Sequence, residues 1–255
     1  MSDKKKLRAE ILSNTELATE IYDMRISAGE IADLAKAGQF LSLYSQDGSR
    51  LLPRPISICG IGRKEKSIRL VYRIAGKGTA EFSQMKAGMR IDVVGPLGNG
   101  FPLKKAPALI IGGGIGIPPM LELVKQLDCE KQVVLGYRKA PFLLEEFQQY
   151  AKVSVATEDG SFGVTGTVID AINQNGLKAD VIYACGPIPM LRAVKAYAAE
   201  NRIECFVSLE ERMACGIGAC LGCVCKSKEV DSHTNVNNKR ICKEGPVFEA
   251  GEVEF

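Results

Sequence analysis

Ala108-Leu-Ile-Ile-Gly112-Gly-Gly-Ile-Gly116-Ile-Pro-Pro119 decides how the middle of this chain folds. Its apolar opening reads as a buried strand, the glycines as a tight turn, and the prolines as a first helical turn, where a missing N–H does no harm. Helical periodicity then covers residues 118–127. Moving toward the C terminus, the same unit recurs: strand 132–136 with helix 144–150, strand 152–157 with helix 167–173, and strand 180–185 with helix 189–200. A strand over 205–209 ends the series. Such alternation specifies a parallel sheet with helices on both faces. Toward the N terminus the character changes. Between Leu7 and Pro102, short apolar runs at 41–44, 56–59, 68–74 and 89–94 are separated by Gly, Asp and Asn turns, which predicts an antiparallel barrel or sandwich.

Beyond the α/β segment the chemistry becomes explicit. Cys215-Gly-Ile-Gly-Ala-Cys220-Leu-Gly-Cys223 places three thiols at C-x4-C-x2-C spacing, and Cys242 follows after a long excursion. This is the spacing of a plant-type [2Fe-2S] cluster, in which a tight loop folds over the core and a distant thiolate closes it. Zinc is the main rival, although zinc sites more often come as paired C-x2-C or Cys/His knuckles. A Rieske centre needs two histidines, and the chain has only His233. Cys225 reads as a strand residue leaving the loop.

The chain of 255 residues suits three segments: a barrel over 1–103, an α/β domain over 104–209 and a small cluster domain over 210–255. The overall class is therefore β followed by α/β. A formal charge of +3 is too small to suggest nucleic acid, and no apolar run is long enough to span a membrane. The start, Met-Ser-Asp-Lys-Lys-Lys, lacks the apolar core of a signal peptide, so a reducing cytoplasm is expected.

Several shorter motifs add cofactor chemistry. Gly112, Gly114 and Gly116 lie where backbone N–H groups and a helix dipole can hold a pyrophosphate. Read from Gly114 the pattern is G-x-G-I-x-P, which resembles the ferredoxin reductase superfamily, although a glycine turn alone can be purely structural. Arg54-Pro55-Ile56-Ser57 resembles that superfamily's flavin signature, and Val71-Tyr72-Arg73 with Gly76-Lys-Gly78-Thr79 resembles its second flavin strand and phosphate turn. The blander readings are a surface arginine and a half-buried strand tyrosine. Cys185-Gly186-Pro187 resembles the turn that sets a thiol beside the nicotinamide; its alternative is a buried strand cysteine. Glu158 and Asp159 close the third α/β strand. Their charge would repel a 2′-phosphate and could accept from a 2′-hydroxyl, which favours NAD(H) over NADP(H).

Taken in order, these motifs resemble the electron transfer subunits of class B dihydroorotate dehydrogenases over nearly the whole chain. The blocks Met213–Val224 and Cys242-Lys-Glu-Gly-Pro-Val-Phe248 strengthen the likeness. The resemblance implies FAD on Arg54 to Ser57, Val71 to Arg73, Gly78 and Thr79, with Ser57 near the flavin N5 and Cys185 beside the nicotinamide as the catalytic pair. It implies a [2Fe-2S] cluster on Cys215, Cys220, Cys223 and Cys242. It also implies a partner, an FMN-containing catalytic subunit that oxidises dihydroorotate in pyrimidine biosynthesis, in a heterotetramer with two of each chain. One departure is a longer gap before Cys242, with a polar insert over 231–238. Alternative functions are a diaphorase subunit of a hydrogenase, a sulfide dehydrogenase or a ferredoxin:NADP oxidoreductase, and a non-catalytic binding module holding zinc. Sulfite reductase subunits share the architecture. The electron-bifurcating ferredoxin:NADP relative carries Asp where this chain has Cys215.

Overall fold

The computed structural model describes residues 4–230 and 235–255. The first three residues, part of the polar insert and His233 lie outside the described residues. The chain divides into two compact units, Met1–Gly100 with Glu210–Val224 and Arg240–Pro246, and Phe101–Leu209 with Cys225–Lys239 and Val247–Phe255.

The first unit is built on six strands: β1 (Lys5–Ala18), β2 (Ile21–Ser27), β3 (Phe40–Tyr44), β4 (Arg54–Gly62), β5 (Ser67–Arg73) and β6 (Arg90–Leu97). Helix α1 (Glu30–Leu34) follows β2 and α2 (Lys77–Ser83) follows β5. The strands close into an antiparallel barrel in the order β1-β2-β5-β4-β3-β6. Ile11, Met24, Ile26, Leu41, Leu43, Ile58, Leu70 and Tyr72 fill its core. Because side chains alternate across a strand, Leu41 and Leu43 facing inward put Phe40 and Ser42 on the outer face of β3. In the same way Ile56 and Ile58 turn inward and Pro55 and Ser57 outward on β4.

The sequence reading anticipated the last four barrel strands and not the first two. Register shifts between Ile11 and Ser13 and between Glu16 and Ala18 break the two-residue period that would mark β1 as a strand.

The second unit carries β7 (Ala108–Gly113), a 3-10 turn at Gly114–Gly116, α3 (Ile117–Gln126), β8 (Lys131–Tyr137), α4 (Leu144–Gln148), β9 (Lys152–Thr157), β10 (Val164–Thr165), α5 (Val168–Gln174), β11 (Val181–Cys185), α6 (Ile188–Asn201) and β12 (Glu204–Ser208). Beyond β13 (Val224–Ser227) and β14 (Asn238–Arg240), β15 (Val247–Glu249) and β16 (Val253–Glu254) complete the chain. The main sheet runs β10-β9-β8-β7-β11-β12-β15. It does not end at β12, as expected, because β15 pairs antiparallel along that edge, Phe206 opposite Glu249 and Ser208 opposite Val247. A three-residue strand is too short to show periodicity. A small sheet of order β14-β13-β16 accompanies it. Among the described residues no helix is long and apolar enough to cross a membrane.

Candidate functional site

The loop from Glu210 to Val224 gathers the thiols. Gly218 N–H donates to Cys242 Sγ at 3.1 Å, Cys220 N–H to Cys215 Sγ at 3.4 Å, and Gly222 N–H to Cys220 Sγ at 3.4 Å. Gly218 has φ +84°, a left-handed conformation that suits glycine and that lets its N–H face a sulfur. Ile241 N–H donates to Cys223 O at 2.9 Å, tying the segment that carries Cys242 to the loop. Cys223 and Cys242 are buried, Cys215 and Cys220 half-buried.

The electrostatics favour a thiolate at Cys215 and at Cys223. A hydrogen bond from the Cys242 thiol brings Cys223 down to about 6, and the same contact pushes Cys242 up. Burial works against ionising Cys215, yet the N–H groups of Ile217 and Cys220 outweigh it and bring the thiol down to about 7. Cys225 is placed elsewhere, with its Sγ 3.6 Å from Lys239 O. The donor set therefore fits an iron-sulfur cluster on Cys215, Cys220, Cys223 and Cys242. A mononuclear zinc site needs its ligand side chains to converge on one point. A two-iron cluster instead spreads its thiolates over two metals.

Sequence reasoning missed Arg240. The residue is 7% exposed, and its guanidinium donates to Gly218 O at 2.9 Å through Nη1 and pairs with Glu244 at 2.7 Å. Gly218 is thus held on both sides, its N–H by Cys242 and its carbonyl by Arg240. An arginine sixteen positions beyond the loop carries no sequence signal of this role.

On the barrel, Arg54 and Gly78 come together. A Cβ at Gly78 would stand 2.6 Å from Arg54 Nε, so the missing side chain is what lets the guanidinium lie across the start of α2. Arg54 Nη1 donates to Leu52 O at 2.5 Å, which aims the group. Gly76 and Gly78 belong to a helix start, where a free turn was expected. Thr79 Oγ1 accepts from Ala75 N–H at 2.9 Å and Gly76 N–H at 3.3 Å, so its hydroxyl serves the turn and its backbone N–H is what it can offer a ligand. Ser57 pairs with Phe40 across β3 and β4, on the outer face. Val71 and Arg73 alternate outward on β5. Tyr72 does not join them: it is 1% exposed in the core, stacked on Tyr22, with its O–H donating to Asn14 Oδ1 at 3.2 Å.

In the α/β unit the glycine turn and the Cys185 turn meet. Cys185 lies opposite Gly112 of β7 and Ser208 of β12, at the carboxyl end of the parallel strands, where open α/β sheets bind ligands. A Cβ at Gly116 would stand 2.5 Å from the Cys185 carbonyl and from Gly186 N, and one at Gly112 3.0 Å from Ile117. Those two glycines serve close packing. Gly114 differs: its φ is +52° and nothing lies within 4 Å of where a Cβ would be, so its backbone is open to a ligand. A Cβ at Gly186 would stand 3.1 Å from the Gly113 backbone, and the Cys185 side chain is buried. Glu158 and Asp159 are exposed at the end of β9, on the same edge of the sheet. The Ser161 hydroxyl and N–H, at 2.6 and 3.0 Å, hold the Asp159 carboxyl below the usual range, so it stays charged at neutral pH.

Comparison with known proteins agrees with this arrangement. The family model described as the iron-sulfur cluster binding domain of dihydroorotate dehydrogenase B matches residues 210–254. The chain is 42% identical to the dihydroorotate dehydrogenase B (NAD(+)) electron transfer subunit of Geobacillus thermodenitrificans, over 96% of this chain and 97% of that one. It is 45% identical to the corresponding subunit of Streptococcus mutans, over 95% and 96%. Among solved structures, a chain of an NADH-dependent reduced ferredoxin-NADP oxidoreductase superposes with TM-score 0.87 at 28% identity, over 97% of this chain and 90% of that one. The FAD- and heme-bound flavohemoglobin of Malassezia yamatoensis shares the fold, with TM-score 0.66 at 20% identity over 78% and 57%. At these identities over nearly its whole length, the chain belongs to the dihydroorotate dehydrogenase B electron transfer subunits.

Proposed function

We propose that this chain is the NAD-linked electron transfer subunit of a two-component dihydroorotate dehydrogenase that works in the cytoplasm. The observation that carries the reading is the cluster loop, four cysteines and their N–H donors folded into the same unit as the flavin strands. When bound, the [2Fe-2S] cluster carries single electrons, FAD exchanges one or two, and NAD+ takes a hydride.

The chain's own residues bind and orient. Arg54 offers a guanidinium fork to the flavin pyrophosphate beside the N–H groups of Gly78 and Thr79. Pro55 and Ser57, with Val71 and Arg73, present the outer barrel face to the isoalloxazine, and the small Ser57 leaves N5 open. Ile56 and Tyr72 support that face from inside the barrel. Gly114 opens the turn to the NAD pyrophosphate, with Gly112 and Gly116 packing it; Cys185 and Gly186 border the nicotinamide; Glu158 and Asp159 select a ribose 2′-hydroxyl. Around the thiols, Ile217, Leu221 and Val224 are exposed at 44%, 54% and 37%, an apolar rim fit for docking the FMN-containing catalytic subunit. The assembly is a heterotetramer of two chains of each kind.

Co-expression with the catalytic subunit tests this. The purified complex should have the mass of two copies of each chain and reduce NAD+ with dihydroorotate. Its Cys220→Ser variant should lose that activity while the catalytic subunit still reduces an artificial dye. A chain that ignores dihydroorotate and couples NADH to ferredoxin and NADP+ would overturn the reading.

A further inference from the structure

We infer that the Ser42 hydroxyl donates a hydrogen bond to sulfur of the cluster held by the adjoining loop, and so raises the cluster's reduction potential. The inference rests on the assignment of an iron-sulfur cluster to that loop. Ser42 sits on the outer face of β3, between Val94 of β6 and Pro55 of β4. It is 1% exposed, so water does not reach it, and its Oγ has no hydrogen-bond partner among the described residues. Buried hydroxyls without a partner are rare because desolvation is then uncompensated, and each one calls for an explanation. What covers this one is Gly216, directly after the ligand Cys215. A Cβ there would stand 2.7 Å from Ser42 Oγ, with Leu97 Cδ1 next at 3.9 Å. Glycine at 216 therefore leaves the hydroxyl room to reach into the loop.

The chemistry of the loop supplies the acceptor. Gly218, Cys220 and Gly222 already direct N–H groups at thiol sulfurs from the loop side. Ser42 is the donor on the barrel side, and sulfur is the acceptor the loop encloses. A hydrogen bond to sulfur stabilises the more negative, reduced cluster, which moves the potential upward. Phe40, two residues away on the same face, pairs with Ser57, so one strand joins the cluster loop to the neighbour of the proposed flavin serine.

The test is an EPR-monitored redox titration of the complex as purified, wild type against Ser42→Ala and Ser42→Cys, with resonance Raman of the Fe–S stretches in H2O and D2O. Ser42→Ala should keep its iron and sulfide, titrate at a lower potential, and lose part of the deuterium shift. Ser42→Cys, a weaker donor, should fall between. If Ser42→Ala fails to retain its cluster, Ser42→Cys decides by the same two readouts. Unchanged potential and unchanged deuterium shift in a loaded variant would overturn the inference. A wild-type complex without a [2Fe-2S] signal would overturn the cluster assignment itself and the inference with it.

Discussion

Arg54 lies across Gly78, with its Nε 2.6 Å from where a side chain at 78 would begin. A methyl group there must displace the guanidinium. One charge-assisted hydrogen bond is worth about 1.5–3 kcal/mol. Gly78→Ala should therefore weaken FAD binding roughly ten- to hundredfold, while the far-ultraviolet circular dichroism stays that of wild type. Flavin content after gel filtration and a fluorescence titration with FAD check it; full retention would show that the contact is only structural.

Cys242 and Cys225 should part company on substitution. Gly218 N–H serves Cys242 Sγ at 3.1 Å, whereas Cys225 faces Lys239 O. Cys242→Ser is expected to lose most of its iron and labile sulfide and Cys225→Ser to keep both, measured by colorimetric assay on protein purified without oxygen.

Gly116 touches the backbone of the turn that carries Cys185. Because a Cβ at 116 would stand 2.5 Å from the Cys185 carbonyl, Gly116→Ala must move either the helix start or the turn. The rate of flavin reduction by NADH in stopped flow should drop at least about tenfold, the scale of a small misplacement of a reacting group. Flavin content should stay unchanged, since this turn belongs to the other compact unit.

Asp159 keeps its charge through neutral pH because the Ser161 hydroxyl and N–H stabilise the carboxylate. Asp159→Arg replaces a repulsion of the 2′-phosphate by an attraction. The ratio of kcat/KM for NADPH to that for NADH should rise roughly tenfold or more, a shift of about 1.4 kcal/mol. The wild-type preference for NADH should persist from pH 8 down to pH 5, since the folded carboxyl titrates only below its ordinary value of 3.8.

The legible parts of this chain were those where spacing is set by chemistry. Cysteines at C-x4-C-x2-C must wrap a cluster, and the turn from Gly112 to Gly116 must join a strand to a helix. Tyr72 was misleading because a strand motif does not tell which face its middle residue takes; here Leu70 and Tyr72 go inward together. The bulges of β1 hid its alternation, and β15 was too short to show one. Ser42 and Arg240 were silent because their importance lies in what the loop brings next to them, not in any local pattern.

The most direct measurement is the visible and EPR spectrum of the anaerobically purified complex before and after one equivalent of NADH. Flavin bands that bleach while a [2Fe-2S] signal appears would show that nicotinamide, flavin and cluster are linked in this chain as the account requires. Flavin that bleaches while the cluster stays silent, or a colourless protein holding zinc, would contradict it.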